Sequence, residues 1–173
     1  MLVKESPLSG VFIIEPKIHE DNRGYFFESY NKKDLEKHIP NIPNFVQDNV
    51  SFSKKNVLRG LHYQEHNSQA KLIKVNYGEI FDVAVNIDKK SNQYMNYFSI
   101  ILNDSNNKQL YIPENFAHGF LVLSDSAQVS YKTSNFYDAK SEKTILWNDE
   151  KIGIDWPIKT KPFLSEKDDF NNL

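Results

Sequence analysis

The sequence predicts an all-β domain, a sandwich or barrel with a few short peripheral helices. Short apolar or alternating segments recur along the whole chain at near-regular spacing, and helical periodicity is nearly absent. Aromatic residues make up 13%, with 12 Phe and 9 Tyr, which suits strands and ring-lined surfaces better than a helix bundle. At 173 residues the chain is sized for one domain, residues 1–173, with a substantial core.

Taken in order, Val11 to Glu15 is an apolar run between Gly10 and Pro16 and reads as a strand. His19 to Gly24 has turn chemistry, and Tyr25 to Tyr30 reads as a second strand. Asn31 to His38 holds helix formers with little apolar surface, so a short surface helix is expected, ended by Pro40 and Pro43. Strand-like segments then follow closely: Phe45 to Ser53, Val57 to Gln64, Lys71 to Tyr77 and Glu79 to Ile87. Tyr77-Gly78 suits a hairpin corner. Tyr97 to Leu102, Gln109 to Ile112, Gly119 to Leu123, Gln128 to Thr133 and Lys143 to Trp147 complete the series. The chain from Asp168 onward is polar enough for a frayed tail, although Phe163 and Leu164 just before it suggest a return to the body.

Composition narrows the function classes. A net charge of -2 and a pI near 6.2 favour neither nucleic acid nor an anionic membrane surface, so any phosphate binding must be local. No cysteine is present, which excludes disulfides, thiolate catalysis and cysteine-bound metals. No segment has the length of a signal peptide's apolar run or of a membrane span, so a soluble cytoplasmic protein is expected.

The chemistry concentrates in Val57 to Gln64 with Lys71. Arg59, His62 and Lys71 put a titratable imidazole between two cations, which suits proton abstraction from an anionic or enolisable substrate; a strand with one satisfied histidine is the plainer alternative. On a regular strand Arg59 and His62 would face opposite sides, but Gly60 between them marks a place for a bulge that turns both to one cavity. In Gln128 to Thr133, alternation puts Val129, Tyr131 and Thr133 on one face, taken as inner, where Tyr131 is either a core ring or a proton donor. Tyr137 is a core ring or a stacking platform. Asp168 is a solvated tail carboxylate unless the chain returns, in which case it can orient a histidine. A metal is not expected: His62, Glu65, His66 and His118 lack the spacing, and Gln64, two residues after His62, is a poor ligand.

These blocks together resemble the dTDP-4-dehydrorhamnose 3,5-epimerase family nearly end to end. The resemblance rests on Asp21 to Ser29, Gln47-Asp48-Asn49, Val57 to Gln64, Phe81 to Val85, Phe116 to Ser124, Tyr131-Lys132-Thr133 and Leu164 to Asp168. It implies a cupin-type jelly-roll that works without a cofactor or metal. The implied substrate is a dTDP-4-keto-6-deoxyhexose, inverted at C3 and C5 on the route to dTDP-L-rhamnose and surface glycans. By the resemblance His62 is the general base held by Asp168, Tyr131 the opposing acid, and Lys71 the cation that stabilises the enolate oxygen. His118 becomes a polar contact to the sugar or a partner near the base. Arg23, Arg59 and Lys167 match diphosphate positions; Glu28, Gln47 and Asn49 match hydrogen-bonding positions around the nucleotide; Asp48 and Glu142 match further substrate-binding positions; Tyr137 matches a ring that stacks on the base. The family also implies a homodimer in which Arg23 and Glu28 reach the neighbour's site, with no nucleic acid or membrane partner.

Three places depart from the family pattern. His19 stands where a phenylalanine commonly packs against thymine, Asn86 and Asp88 replace a more usual Asp and Arg, and Asn115 replaces a glycine at a turn. The alternative functions are a C3-only epimerase, a 3,4-ketoisomerase, a metal-dependent cupin oxygenase and a non-catalytic sugar-binding cupin.

Overall fold

The computed structural model describes residues 1–169. Its first strands are β1 (Leu2–Glu5), β2 (Phe12–Glu15), β3 (His19–Asp21) and β4 (Gly24–Phe26). A single helical turn follows, α1 (Lys32–Leu35), and then β5 (Gln47–Lys54), β6 (Leu58–Gln64), β7 (Lys71–Tyr77) and β8 (Glu79–Asn86). The last are β9 (Tyr97–Asn103), β10 (Gln109–Ile112), β11 (Phe116–Val122), β12 (Ser126–Thr133) and β13 (Glu142–Thr144). They form a six-stranded sheet in the order β1-β2-β10-β7-β12-β5, a five-stranded sheet in the order β13-β6-β11-β8-β9, and the separate hairpin β3-β4. All pairings between these strands are antiparallel. The result is the expected jelly-roll sandwich.

The period-2 alternation of the strands decides what lies between the sheets. Ile73 and Val75, Leu110 and Ile112, and Ala127 and Val129 point inward from the six-stranded sheet. They meet Ile80, Ala84, Leu102, Phe116, Phe120 and Val122 from the five-stranded one. The opposite faces are covered too. Leu35, Ile39 and Ile42 pack with Phe12, Ile14, Leu72 and Tyr111, and Trp156 and Ile152 close over Val83, Val85 and Leu121.

Several expectations need correction. α1 is not merely a surface turn: Asn31 caps it through a bond from the Asp34 amide, and Leu35 is buried, so it anchors the cover of the outer face. His19 to Asp21, expected as turn, is a strand; the reversal is confined to Asn22 and Arg23, where Asp21 accepts the Arg23 amide. Strand structure stops at Phe26 instead of running to Tyr30. β1 escaped the sequence reading because its strongly exposed residues carry no alternation. Asp168 and Asp169 are not a frayed tail, and residues 170–173 of that expectation lie outside the described residues.

The Tyr77-Gly78 corner is not a hairpin. β7 pairs with β10 and β12, while β8 pairs with β9 and β11, so the chain crosses from one sheet to the other at Gly78. A Cβ there would lie 2.1 Å from the Ser126 carbonyl oxygen, and φ is +80°, so only glycine fits the crossing. Asn115, by contrast, takes the positive φ of 63° that its turn requires.

The bulge at Gly60 is present. His118 pairs with His62 and Phe120 with Arg59, so two steps along β11 match three along β6. The extra residue turns Leu58 and Leu61 to the outer core while Arg59 and His62 both line the interior. Glycine is required there as well: a Cβ would sit 2.5 Å from the His118 carbonyl oxygen.

Candidate active site

Apolar side chains fill one end of the space between the sheets, and polar ones line the other. There a cleft of about 680 Å³, open mouth included, is lined by Arg59, His62, Lys71, His118, Tyr131, Tyr137 and Glu142, among others. The two walls come from different sheets. His62 and His118 project from β6 and β11, Lys71 and Tyr131 from β7 and β12.

His62 Nε2 lies 2.5 Å from Asp168 Oδ1, and Asp168 is buried. The carboxylate arrives on the C-terminal segment, which docks through a parallel bridge between Val57 and Phe163 and through bonds from Leu58 N to Phe163 O and from Phe163 N to Asn56 O. Burial alone raises the Asp168 carboxyl. The bond and charge of His62, the Ser165 hydroxyl and the charge of Lys167 more than reverse that, leaving it below its ordinary value and ionised at neutral pH. With Nε2 so engaged, Nδ1 is the imidazole nitrogen left to exchange a proton with a bound molecule.

Lys71 is buried, and its Nζ donates to the His62 carbonyl oxygen at 3.4 Å. Desolvation lowers its ammonium pKa to about 8, against the opposing pull of the Asp82 and Glu142 carboxylates. Tyr131 is shifted upward, first by burial, with Arg59 and Lys167 pulling the other way, so its hydroxyl holds its proton at neutral pH. His118 Nε2 meets Asp82 Oδ1 at 2.7 Å, a second histidine–carboxylate pair in which Asp82 is fully buried and His118 lines the cleft.

The mouth carries a further cluster. Glu142 accepts from Lys167 Nζ at 2.9 and 3.0 Å and from the Tyr137 hydroxyl at 3.1 Å. Burial raises the Glu142 carboxyl, but the bond and charge of Lys167, the nearby His62 and the Tyr137 hydroxyl bring it below its ordinary value. Arg59 reaches across to the other sheet, its Nε donating to Ser53 Oγ at 2.9 Å.

Gln47 and Asn49 face inward from β5 and bond each other at 2.9 Å, and Gln47 Oε1 accepts the Tyr137 amide at 3.0 Å. Asp48, between them, points to the outer face and pairs with Lys132 Nζ at 2.8 Å, as alternation dictates. Arg23 and Glu28 also lie away from the cleft of their own chain. Arg23 pairs with Asp21 at 2.5 Å in the exposed β3-β4 hairpin, and Glu28 accepts from Asn31 at 3.3 Å.

Gln64 and Asp82 were missed as candidates. Gln64, considered only as a poor metal ligand, donates to the carbonyls of Asn67 and Phe136 and accepts the Asp138 amide, so it pins the segment that presents Tyr137. Its inward position two residues after His62 was a usable signal. Asp82 sat in an apolar strand, and a lone carboxylate there needs a buried partner. Among the described residues, no three His, Asp or Glu side chains converge as a metal site would require.

A base and an oxyanion-stabilising cation, with a hydroxyl on the opposing wall, can move a proton from one face of a carbon acid to the other. Comparisons with known proteins give the family. The family model described as dTDP-4-dehydrorhamnose 3,5-epimerase matches residues 5–173. The dTDP-4-dehydrorhamnose 3,5-epimerase of Salmonella typhimurium is 51% identical over 169 residues, covering 97% of this chain and 92% of that protein. A dTDP-6-deoxy-D-glucose-3,5-epimerase from Legionella pneumophila, solved with dTDP-4-keto-L-rhamnose, superposes with a TM-score of 0.94 at 44% identity, over 96% of this chain and 89% of that one. The Bacillus anthracis dTDP-4-dehydrorhamnose 3,5-epimerase, solved with TDP and PPi, gives 0.92 at 42% identity, over 96% and 95%. No helix among the described residues is long and apolar enough to cross a membrane.

Proposed function

The chain belongs to the dTDP-4-dehydrorhamnose 3,5-epimerase family, and we propose that its members of the acid–base set are His62, Tyr131 and Lys71, with Asp168 holding the base. It is an isomerase that inverts C3 and C5 of a dTDP-4-keto-6-deoxyhexose in dTDP-L-rhamnose biosynthesis. Both carbons flank the C4 ketone. His62 takes the proton from one face, the C–H electron pair moves into the C4 carbonyl, and Lys71 stabilises the enolate oxygen. The carbonyl then re-forms as the carbon takes the Tyr131 proton on the other face, which inverts the centre. Tyr131 regains a proton and His62 loses one before the second round. The observation that carries this reading is the placement of His62 and Tyr131 on opposite walls of one cleft.

Around that centre, Arg59 and Lys167 suit the diphosphate, whose charge would draw Lys167 from Glu142. Tyr137 offers a stacking face to the base, Gln47 and Asn49 offer polar contacts, and His118, fixed by Asp82, contacts the sugar. The test is NMR of dTDP-4-keto-6-deoxyglucose with the enzyme in heavy water. Deuterium is expected at both C3 and C5. Incorporation at C3 alone would make the enzyme a C3 epimerase, and none at either carbon would overturn the assignment.

The active form is proposed to be a homodimer working in the cytoplasm. The β3-β4 hairpin has no core beneath it, and an isolated hairpin is marginal in water. Tyr25 and Phe26 are exposed, as are Val50 and Phe52 on the edge strand β5. A second copy would cover these surfaces and bring Arg23 and Glu28 to the neighbour's cleft, where Asp48 would also meet the interface. Mixing Arg23→Ala with His62→Ala subunits tests it. If Arg23 acts across the interface, mixed dimers hold one intact site, and about a quarter of wild-type activity returns at low substrate concentration. No recovery on subunit exchange would place Arg23 in its own chain's site or outside catalysis.

A further inference from the structure

The C-terminal segment supplies more than the carboxylate of Asp168. Ser165 Oγ donates to Asp168 Oδ2 at 2.8 Å while Asp168 Oδ1 meets His62 Nε2 at 2.5 Å, so each carboxylate oxygen has one partner. The same two residues close a turn through their backbones, Asp168 N donating to Ser165 O at 3.0 Å, and the Asp169 amide bonds that carbonyl at 3.1 Å. A carboxylate with one hydrogen-bonded oxygen can still rotate about its Cβ–Cγ bond. With both oxygens held, its plane is set, and with it the direction of the acceptor offered to the imidazole.

We propose that Ser165 is a positioning residue for the epimerase reaction, fixing the Asp168 carboxylate so that the His62 ring is held at the angle proton abstraction needs. This rests on the reading of His62 as the base. Ser165 is itself largely exposed, so water can reach Oδ2 when the hydroxyl is gone. Water carries no direction. The serine hydroxyl is built into the turn that carries the carboxylate, and its position cannot drift independently of Asp168. Proton transfer is steep in geometry, so a loosened imidazole lowers turnover while the nucleotide contacts of Arg59, Tyr137 and Lys167 are untouched.

Three measurements on the full-length enzyme test the proposal: kcat and KM for dTDP-4-keto-6-deoxyglucose, and the low-field N–H proton resonance of the His62–Asp168 hydrogen bond. Ser165→Ala, Ser165→Thr and His62→Ala are compared with wild type. Ser165→Ala is expected to lower kcat about 10-fold with KM within about twofold, and to lose the low-field signal to solvent exchange. Ser165→Thr, which keeps a hydroxyl, restores both. Full kcat with the signal intact in Ser165→Ala would overturn the proposal. So would a fall in kcat with the signal unchanged, or a threonine variant as impaired as the alanine one. His62→Ala keeps the two levels apart: if it still exchanges deuterium at wild-type rates, the base assignment fails whatever Ser165 does.

Discussion

Replacing His62 by alanine is expected to slow deuterium incorporation at both C3 and C5 about 10³-fold while leaving dTDP affinity within about threefold of wild type. The size follows from removing the imidazole that, alone among the described residues, combines a path to the cleft with the Asp168 carboxylate. His118 is held by its own carboxylate, Asp82, and its side chain is 9% exposed against 22% for His62, so it offers the cleft a much smaller surface. Affinity is expected to persist because the candidate diphosphate and base contacts, Arg59, Lys167 and Tyr137, lie nearer the mouth. The substitution also strips Asp168 of its largest hydrogen-bond partner, so folding is checked alongside. His62→Gln, whose amide nitrogen reaches about as far as Nε2 and can donate toward Asp168, should be equally inactive while restoring stability. Exchange at either carbon within tenfold of wild type would remove His62 from the base role.

Lys71→Met is expected to abolish useful turnover, by about 10²-fold or more, and to make the protein more stable. Lys71 is buried with an ammonium pKa lowered from 10.5 to about 8, first by desolvation and in opposition to Asp82 and Glu142. The sign of the stability effect follows directly. Between about pH 8 and pH 10.5 the unfolded chain keeps this proton and the folded one does not, so folding becomes more favourable as pH rises through that window. At neutral pH, below both values, the buried charge costs about 3 kcal/mol. Methionine has similar volume and no charge. It leaves the His62 carbonyl without its bond from Lys71, a loss of about 1 kcal/mol, so the net gain is about 2 kcal/mol, or roughly 4–8 °C in Tm.

The same shift sets the pH profile of the wild-type enzyme. The enolate needs the cation, so kcat/KM should fall as pH rises through about 8. An alkaline limb several units higher, or a Lys71→Met variant that melts below wild type, would contradict this account. The stabilised but inactive variant is the expected mark of a buried charge retained for catalysis.

Much of this was legible in the sequence. Alternation placed Tyr131 with Val129 on the inner face, and Gly60 within Val57 to Gln64 signalled the bulge that aims Arg59 and His62 into one cleft. The positive φ at Asn115 followed from residue type. These are local properties, fixed by side-chain period and by which residues tolerate left-handed backbone. The β1 edge and the β3 strand were not legible, because they are exposed and carry no hydrophobic period.

Local patterning was enough to reach the class of fold, the family, and the identity of the proton-transfer candidates. Long-range packing was needed to show that Gly78 is a crossing between sheets, that Gln64 pins the segment bearing Tyr137, and that Asp82 holds His118. The same holds for Asp168, 106 positions beyond His62 in the chain, which meets it at 2.5 Å. The first group depends on neighbours a few residues apart, whose geometry the backbone period fixes. The second depends on which strands share a sheet and where the last segment docks, and those are set by packing between distant residues.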